Sequence, residues 1–247
     1  MHLFNLKNKN VIITGAGRGL GLVLSNYFQR NGSQVIAFDK EFNLKDISSD
    51  INKIYCDFED IKKTTLKINN LLKKQQIDVL INCAAITVEN EDNFYTSLKN
   101  WDKVLNVNLK TAFIFCKLVG AQMIKNKIKG KIINFSSIGA TRGFPNNFSY
   151  GVSKSGLAQL TRVLANDWGK YSINVNTIVP GYFKTPMNKK SWENLKKRNE
   201  RSRKTFIGRW AEPKEIIGPV VFLSCEASSY VTGSEIVVDG GWLAKGL

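Results

Sequence analysis

The feature that most constrains this chain is a repeated change of hydrophobic period. Short apolar runs rich in β-branched residues alternate with longer segments whose apolar positions recur at helical spacing. The runs fall at Asn10–Thr14, Gln34–Asp39, Lys53–Cys56, Val79–Asn82, Lys131–Ser136, Asn174–Val179 and Glu235–Asp239. Between them the pattern predicts helices over Gly19–Arg30, Phe58–Lys74, Trp101–Lys125, Phe148–Lys170 and Pro213–Ser224. Strands that are apolar throughout need cover on both faces, and alternation with helices supplies it. The expected architecture is α/β: a single doubly wound domain over residues 1–247, with a parallel sheet of about seven strands and helices on both faces. No repeat, low-complexity linker or domain boundary interrupts it.

The first run, Val11-Ile12-Ile13, passes straight into Thr14-Gly15-Ala16-Gly17-Arg18-Gly19-Leu20-Gly21 and then a helix. Glycines there permit a tight turn and let the backbone approach a pyrophosphate, which rests on the helix N-terminus where free amides and the dipole favour anions. In that position the loop is the dinucleotide signature of a Rossmann-type domain, with Gly15, Arg18, Gly19, Leu20 and Gly21 as contact residues. Asp39 closes the second run, where a carboxylate hydrogen-bonds the adenosine ribose and repels a 2′-phosphate. It argues for NAD over NADP. Arg18 and Lys40 pull the other way, because either can pair with a phosphate. Asp57, followed by Phe58, is placed to meet the adenine amino group, to cap the next helix, or both. Asn82-Cys83-Ala84-Ala85 ends the fourth run with small residues, where a cofactor would pass closely.

Tyr150 and Lys154 stand four apart in a helical segment and so share a face. An adjacent ammonium favours phenolate, which is expected to lower the phenol from about 10 towards the range of an acid–base catalyst. Ser137 lies thirteen residues before Tyr150, at the end of a strand run. The same Tyr–Lys spacing recurs at Tyr95 and Lys99, but thirteen before Tyr95 stands Asn82, which has no hydroxyl.

His2 is the sole histidine, which excludes Ser-His-Asp hydrolysis and histidine-dependent 2-hydroxyacid dehydrogenation. The four cysteines (Cys56, Cys83, Cys116, Cys225) lack metal-ligand spacing and read as buried free thiols, so no metal is expected. No stretch approaches the roughly 20 apolar residues of a membrane span. The first seven residues have no apolar core of signal-peptide length, so a cytoplasmic protein is expected. The formal net charge is +16. It fits either solvated lysine-rich faces or a nucleic-acid footprint. No basic strip interleaved with aromatics stands out, so neither a nucleic acid nor a membrane is expected as partner.

In order along the chain, Thr14-Gly15-x-x-x-Gly19-x-Gly21, Asp57, Asn82-Cys-Ala-Ala, Asn106-Val-Asn108-Leu, Ser137, Tyr150-x-x-x-Lys154, Pro180-Gly181-x-x-x-Thr185 and Val238-Asp-Gly-Gly-Trp242 resemble the short-chain dehydrogenase/reductase family over essentially the whole length. Cys83 and Ala85 are small departures from the family's usual Asn-Asn-Ala-Gly. The resemblance implies hydride transfer between a nicotinamide and a carbonyl carbon, with Tyr150 exchanging the proton at the oxygen and Ser137 fixing that oxygen. It implies that Lys154 holds the nicotinamide ribose. Asn108 would interrupt its helix and anchor a water that relays protons to Lys154. Pro180, Gly181, Phe183 and Thr185 would wrap the nicotinamide. The C-terminal third looks most like the branch of gluconate 5-dehydrogenase and 2-dehydro-3-deoxy-D-gluconate 5-dehydrogenase. Similarity to 3-oxoacyl-carrier-protein reductases is nearly as broad. A homotetramer is expected from the same resemblance.

Lys184 to Arg209 carries ten basic residues against two acids and occupies the family's substrate-covering segment, around 182–210. That excess points to an anionic small-molecule substrate or, equally, to solvated lysines on an exposed helix. Phe144, Tyr182, Met187 and Trp192 are candidates for the apolar side of the pocket. A non-catalytic nucleotide-binding regulator would keep the glycine loop but has no need of Asn108, Ser137, Tyr150 and Lys154 together.

Overall fold

The computed structural model describes residues 3–88 and 97–245; His2 and Tyr95 lie outside the described residues. Seven strands form one sheet: β1 (Asn10–Thr14), β2 (Gln34–Asp39), β3 (Asn52–Tyr55), β4 (Val79–Asn82), β5 (Lys131–Phe135), β6 (Asn174–Pro180) and β7 (Glu235–Val238). Their order is β3-β2-β1-β4-β5-β6-β7, and every pairing is parallel. Successive side chains of a strand point to opposite faces. Val11 and Ile13 accordingly pack with Leu24 and Phe28 of α1 (Gly19–Arg30) and Val220 of α8 (Ile217–Ser224). Ile12 packs on the other face with Ile68 of α2 (Ile61–Leu72), Phe115 of α4 (Thr111–Lys125) and Leu164 of α5 (Phe148–Trp168).

Three helices differ from expectation. α2 begins at Ile61 rather than Phe58, because the Asp60 side chain accepts from the Lys63 amide (2.9 Å) and caps it; Asp57 stays in the preceding loop. The long helix starts earlier, as α3 (Leu98–Leu105), and reaches α4 through a π-helical turn, Asn106–Lys110. The Pro213 segment opens with a 3₁₀ turn, Pro213–Ile216, before α8. The basic segment folds into two short helices, α6 (Lys189–Glu193) and α7 (Leu195–Arg203). Leu98–Lys125 is also long and apolar enough to cross a bilayer, contrary to the sequence expectation. Its Phe115, Cys116, Val119 and Met123 are fully inaccessible, which is the burial of a helix packed in a core.

In this strand order the chain winds away from β1 in both directions, and the β1/β4 boundary is the switch point where a crevice opens beyond the carboxyl ends. The two loops there nearly touch. Thr14 Oγ1 accepts from the amides of Cys83 (3.1 Å) and Ala84 (3.2 Å). Gly15 has φ +68°, and a Cβ on it would stand 2.7 Å from Ala84 Cα, so only glycine fits.

Phe115 meets Phe38 edge-on at 5.1 Å and Phe58 at 6.1 Å, which ties α4 to β2 and to the loop after β3. Phe115→Ala is expected to cost about 3–5 kcal/mol of stability, read as a lower denaturant midpoint at unchanged slope.

Candidate active site

A cleft runs across the carboxyl ends of the strands, from the glycine turn past β4 and β5 to the loop after β6. One half has the requirements of a dinucleotide. α1 opens at Gly19 from an extended Arg18, with no capping side chain and no acid in its first turn. Its first amides are therefore left for an anion. The turn is held tight by glycines: a Cβ on Gly21 would lie 2.1 Å from the Gly15 carbonyl oxygen, and one on Gly17 1.9 Å from that of Glu41. Asp39 is fixed at the end of β2, its Oδ2 accepting from the Gly17 amide (2.8 Å) and its Oδ1 from that of Lys40 (2.7 Å). These groups fit a nicotinamide dinucleotide.

Of the sequence candidates, Gly15, Arg18, Gly19, Leu20 and Gly21 line the cleft from the glycine turn. Asp39, Lys40, Asp57 and Phe58 line it from the ends of β2 and β3, and Ala84 from the end of β4. Pro180, Gly181, Phe183, Thr185 and Met187 line it from beyond β6.

Five candidates do not line it, among them Trp192, which packs edge-on against Trp210 (ring centroids 5.6 Å apart). Asn82 is buried under the sheet end, donating to Asn134 Oδ1 (2.8 Å) and to the Cys116 sulfur (3.2 Å). Asn108 spends its amide elsewhere: Oδ1 accepts from the Ile86 amide (2.8 Å), and Nδ2 donates to the Ile86 carbonyl (3.0 Å) and Ser153 Oγ (3.1 Å). It holds the loop after β4 and makes no direct bond to Lys154. Phe144 lies against Trp242 (ring centroids 5.5 Å apart) and Tyr182 against Trp210 (5.1 Å), both set back from the lining. Glu59, Ile86, Val107, Pro186 and Asn188 line the cleft without having been singled out. Glu59 and Ile86 follow strand ends, so their position after the apolar runs was the available signal.

Ser137, Tyr150 and Lys154 converge in the other half. Ser137 follows β5, while Tyr150 and Lys154 project from α5. The Ser137 hydroxyl hydrogen-bonds the Tyr150 phenol and also accepts from the Gly139 amide (3.1 Å). Lys154 is 2 % exposed; its ammonium donates to the Phe135 carbonyl at 2.6 Å and sits 5.7 Å from the Tyr150 ring centre.

The expected lowering of the phenol by the lysine is not found. Burial pushes the Tyr150 phenol up, and Ser137 draws it only partly back. Burial likewise pushes the Lys154 ammonium down from its ordinary 10.5 to about 8. Nearby Cys83, half-buried in the cleft wall, has its thiol pushed up to about 12 by desolvation and stays neutral. The pair is thus a protonated phenol touching a hydroxyl, beside an ammonium that gives up its proton readily.

Residues 15–243 match the family profile described as enoyl-(acyl carrier protein) reductase, a short-chain dehydrogenase/reductase profile. The chain belongs to that family. It is 35% identical to 2-dehydro-3-deoxy-D-gluconate 5-dehydrogenase of Dickeya dadantii, with 99% of each chain covered. It is 34% identical to 3-oxoacyl-[acyl-carrier-protein] reductase of Thermotoga maritima, covering 96% of this chain and 98% of that one. A solved structure named as an NAD(P)-dependent gluconate 5-dehydrogenase of Beutenbergia cavernae, with bound NADP, superposes at a TM-score of 0.94 with 30% identity, covering 98% and 99%. As a short-chain dehydrogenase/reductase, the protein is a nicotinamide-dependent oxidoreductase acting on CH–OH groups.

The Lys154 shift has a thermodynamic consequence. Between about 8 and 10.5 the unfolded lysine binds a proton that the folded one does not, so stability rises with pH across that window and is flat below it. Lys154→Met lacks this slope. Wild-type stability is expected to gain on the mutant's as pH is raised from 7 to 10.5; parallel curves in pH-dependent denaturation of the nucleotide-free proteins would refute the burial effect.

Proposed function

We propose that this protein interconverts a ketone and a secondary alcohol on a sugar acid or related anionic substrate, with NAD as the preferred coenzyme. The supporting observation is the single cleft that joins an uncapped helix N-terminus and glycine turn to the Ser137–Tyr150 contact. The bound coenzyme would supply or accept a hydride. Tyr150 would give its proton to the carbonyl oxygen, or remove the alcohol proton as phenolate, while Ser137 holds that oxygen. Lys154, with a depressed affinity for its proton, is suited to passing protons towards Tyr150 and to holding the nicotinamide ribose. Asn108 would act through the Ile86 loop and Ser153 that it clamps. Burial holds the phenol protonated, so alcohol oxidation should speed up towards alkaline pH.

Asp39 supports NAD because its fixed carboxylate would repel a 2′-phosphate. Arg18 and Lys40 in the same wall leave NADP as the lesser coenzyme. The names of the sugar-acid relatives and the basic segment around 182–210, which would cover the substrate, support the anionic class. The Thermotoga relative favours a second reading, a 3-oxoacyl-carrier-protein reductase. Activity on an acetoacetyl thioester exceeding that on keto-sugar acids would select it. A homotetramer is supported by two apolar faces: a groove between α4 and α5 with exposed Phe113 and Val163, and the free edge of β7 with exposed Val237.

Tyr150→Phe is expected to lower kcat by about 10²–10⁴-fold while coenzyme binding, followed by fluorescence titration, is retained. Near-normal turnover would end the assignment. Asp39→Ala should shift the kcat/KM ratio of NADP to NAD upward by about tenfold or more, and an unmoved ratio would remove Asp39 from coenzyme choice.

A further inference from the structure

A lysine is rarely buried without a carboxylate beside it, because an unpaired charge gives up its water at high cost. Among the described residues two lysines are buried: Lys154, in the cleft above, and Lys131, 5 % exposed, at the first position of β5. The sheet is parallel, so Lys131 lies at the end opposite the cleft. Its ammonium donates to Oδ1 of Asn174 (2.7 Å), its neighbour in register at the start of β6. An ammonium carries three N–H donors, so two are left unspent, and Lys131 has no ion pair among the described residues. Burial pushes the ammonium below its ordinary range; Glu226 draws it only partly back, and Lys9 pushes it further down.

Lys131 and Asn174 line a cavity beyond the amino ends of β5, β6 and β7, separate from the cleft. Its other polar walls are Ser172, which precedes β6, and Glu226, Ser229 and Thr232, which precede β7. Asn174 fixes the second of these walls, Nδ2 donating to the carbonyls of Ser229 and Val231 (both 3.1 Å). Thr232 Oγ1 accepts from the Val175 amide (3.1 Å) and keeps its own proton to donate. The hydroxyls of Ser172 and Ser229 make no hydrogen bond among the described residues. Exposed Lys129 and Tyr230 complete the rim. The cavity thus brings one buried cation, one acid and three free hydroxyl protons to a single space. A carboxylate accepts two bonds from such a cation at short range. A second negative charge would be opposed by Glu226 in the same wall, whereas ligand hydroxyls can donate to it.

We propose that this cavity is a second binding site, for a singly charged hydroxy acid. The ligand's carboxylate pairs with Lys131, and its hydroxyls bond Ser172, Ser229, Thr232 and Glu226. The site is remote from the cleft and holds whether or not the substrate of the cleft is a sugar acid.

The test is hydrogen exchange of the full chain, read by mass spectrometry, with D-gluconate as the probe. Gluconate should slow exchange in peptides spanning 169–174 and 226–232, which form the cavity walls. Neither segment lines the cleft, so a ligand bound there does not imitate the pattern. Neutral D-glucitol and inorganic phosphate should protect these peptides little. Lys131→Met keeps the length of the side chain and removes its charge. It should raise the gluconate concentration needed about 10–100-fold, the loss expected of a charged hydrogen-bonded contact. Lys125→Gln removes an exposed charge outside the cavity and should leave protection unaltered. If the methionine variant does not fold, Ser229→Asp decides: it changes an exposed residue and sets a fixed negative charge against the incoming carboxylate, so protection should vanish. Undiminished protection in either variant overturns the role of Lys131. Equal protection by glucitol or phosphate overturns the hydroxy-acid class, and no protection in wild type overturns the site.

Discussion

The contact on which the site depends is the buried ammonium of Lys154 against the carbonyl of Phe135, the last residue of β5. A second bond runs the other way nearby: Ser136 Oγ donates to the Lys154 carbonyl (3.0 Å). Ser155 Oγ adds a third, to the carbonyl of Ala140 (2.9 Å). The active turn of α5 is thereby stitched to the strand end and to the loop after it. This fixes the distance between Tyr150, carried by the helix, and Ser137, carried by the loop. Burying the ammonium is unfavourable, as its depressed proton affinity records. A core built only for stability would place an apolar side chain here.

The coenzyme half depends on a different constraint, the close passage of the β1–α1 turn over the end of β4. Thr14 reaches across to two amides of the β4 loop, and the missing side chain of Gly15 makes room for them. Asn108 holds the next part of that same loop from the π-helical turn, through both hydrogen-bonding ends of Ile86. Asn108 also donates to Ser153, the residue before Lys154. The loop after β4 is thus clamped between the glycine turn and α5. A disturbance at either clamp would move the glycine turn and Tyr150 relative to one another.

Much of this was legible in the sequence, because strand and helix periods are local and the cofactor turn is contiguous. The seven apolar runs became the seven strands with ends shifted by at most one residue, and Gly15, Asp39, Ser137, Tyr150 and Lys154 line one cleft. What could not be read depends on competition between neighbours in space. Asp57 and Asp60 are both plausible caps, and the Lys63 amide selects Asp60. Charge proximity alone suggested an acidified phenol, but the outcome depends on how far both groups are removed from water, which sequence spacing does not encode. The sequence puts Phe144, Tyr182 and Trp192 on the apolar side of the pocket, yet ring packing against Trp242 and Trp210 sets them one layer back.

The same distinction governs the net charge of +16. A count of charges treats every lysine and arginine alike, whereas an electrostatic effect on a ligand depends on which cations are already paired and how much water surrounds them. In the basic segment several are neutralised by glutamates, and others project into solvent, where salt screens them. The aromatic residues change this balance. Trp192, Trp210 and Tyr182 hold the Arg198 and Arg201 guanidiniums over their faces, and neither side chain has an ion pair among the described residues. Aromatic packing, rather than the number of basic residues, therefore distinguishes the cations of this segment that are held in place without a carboxylate.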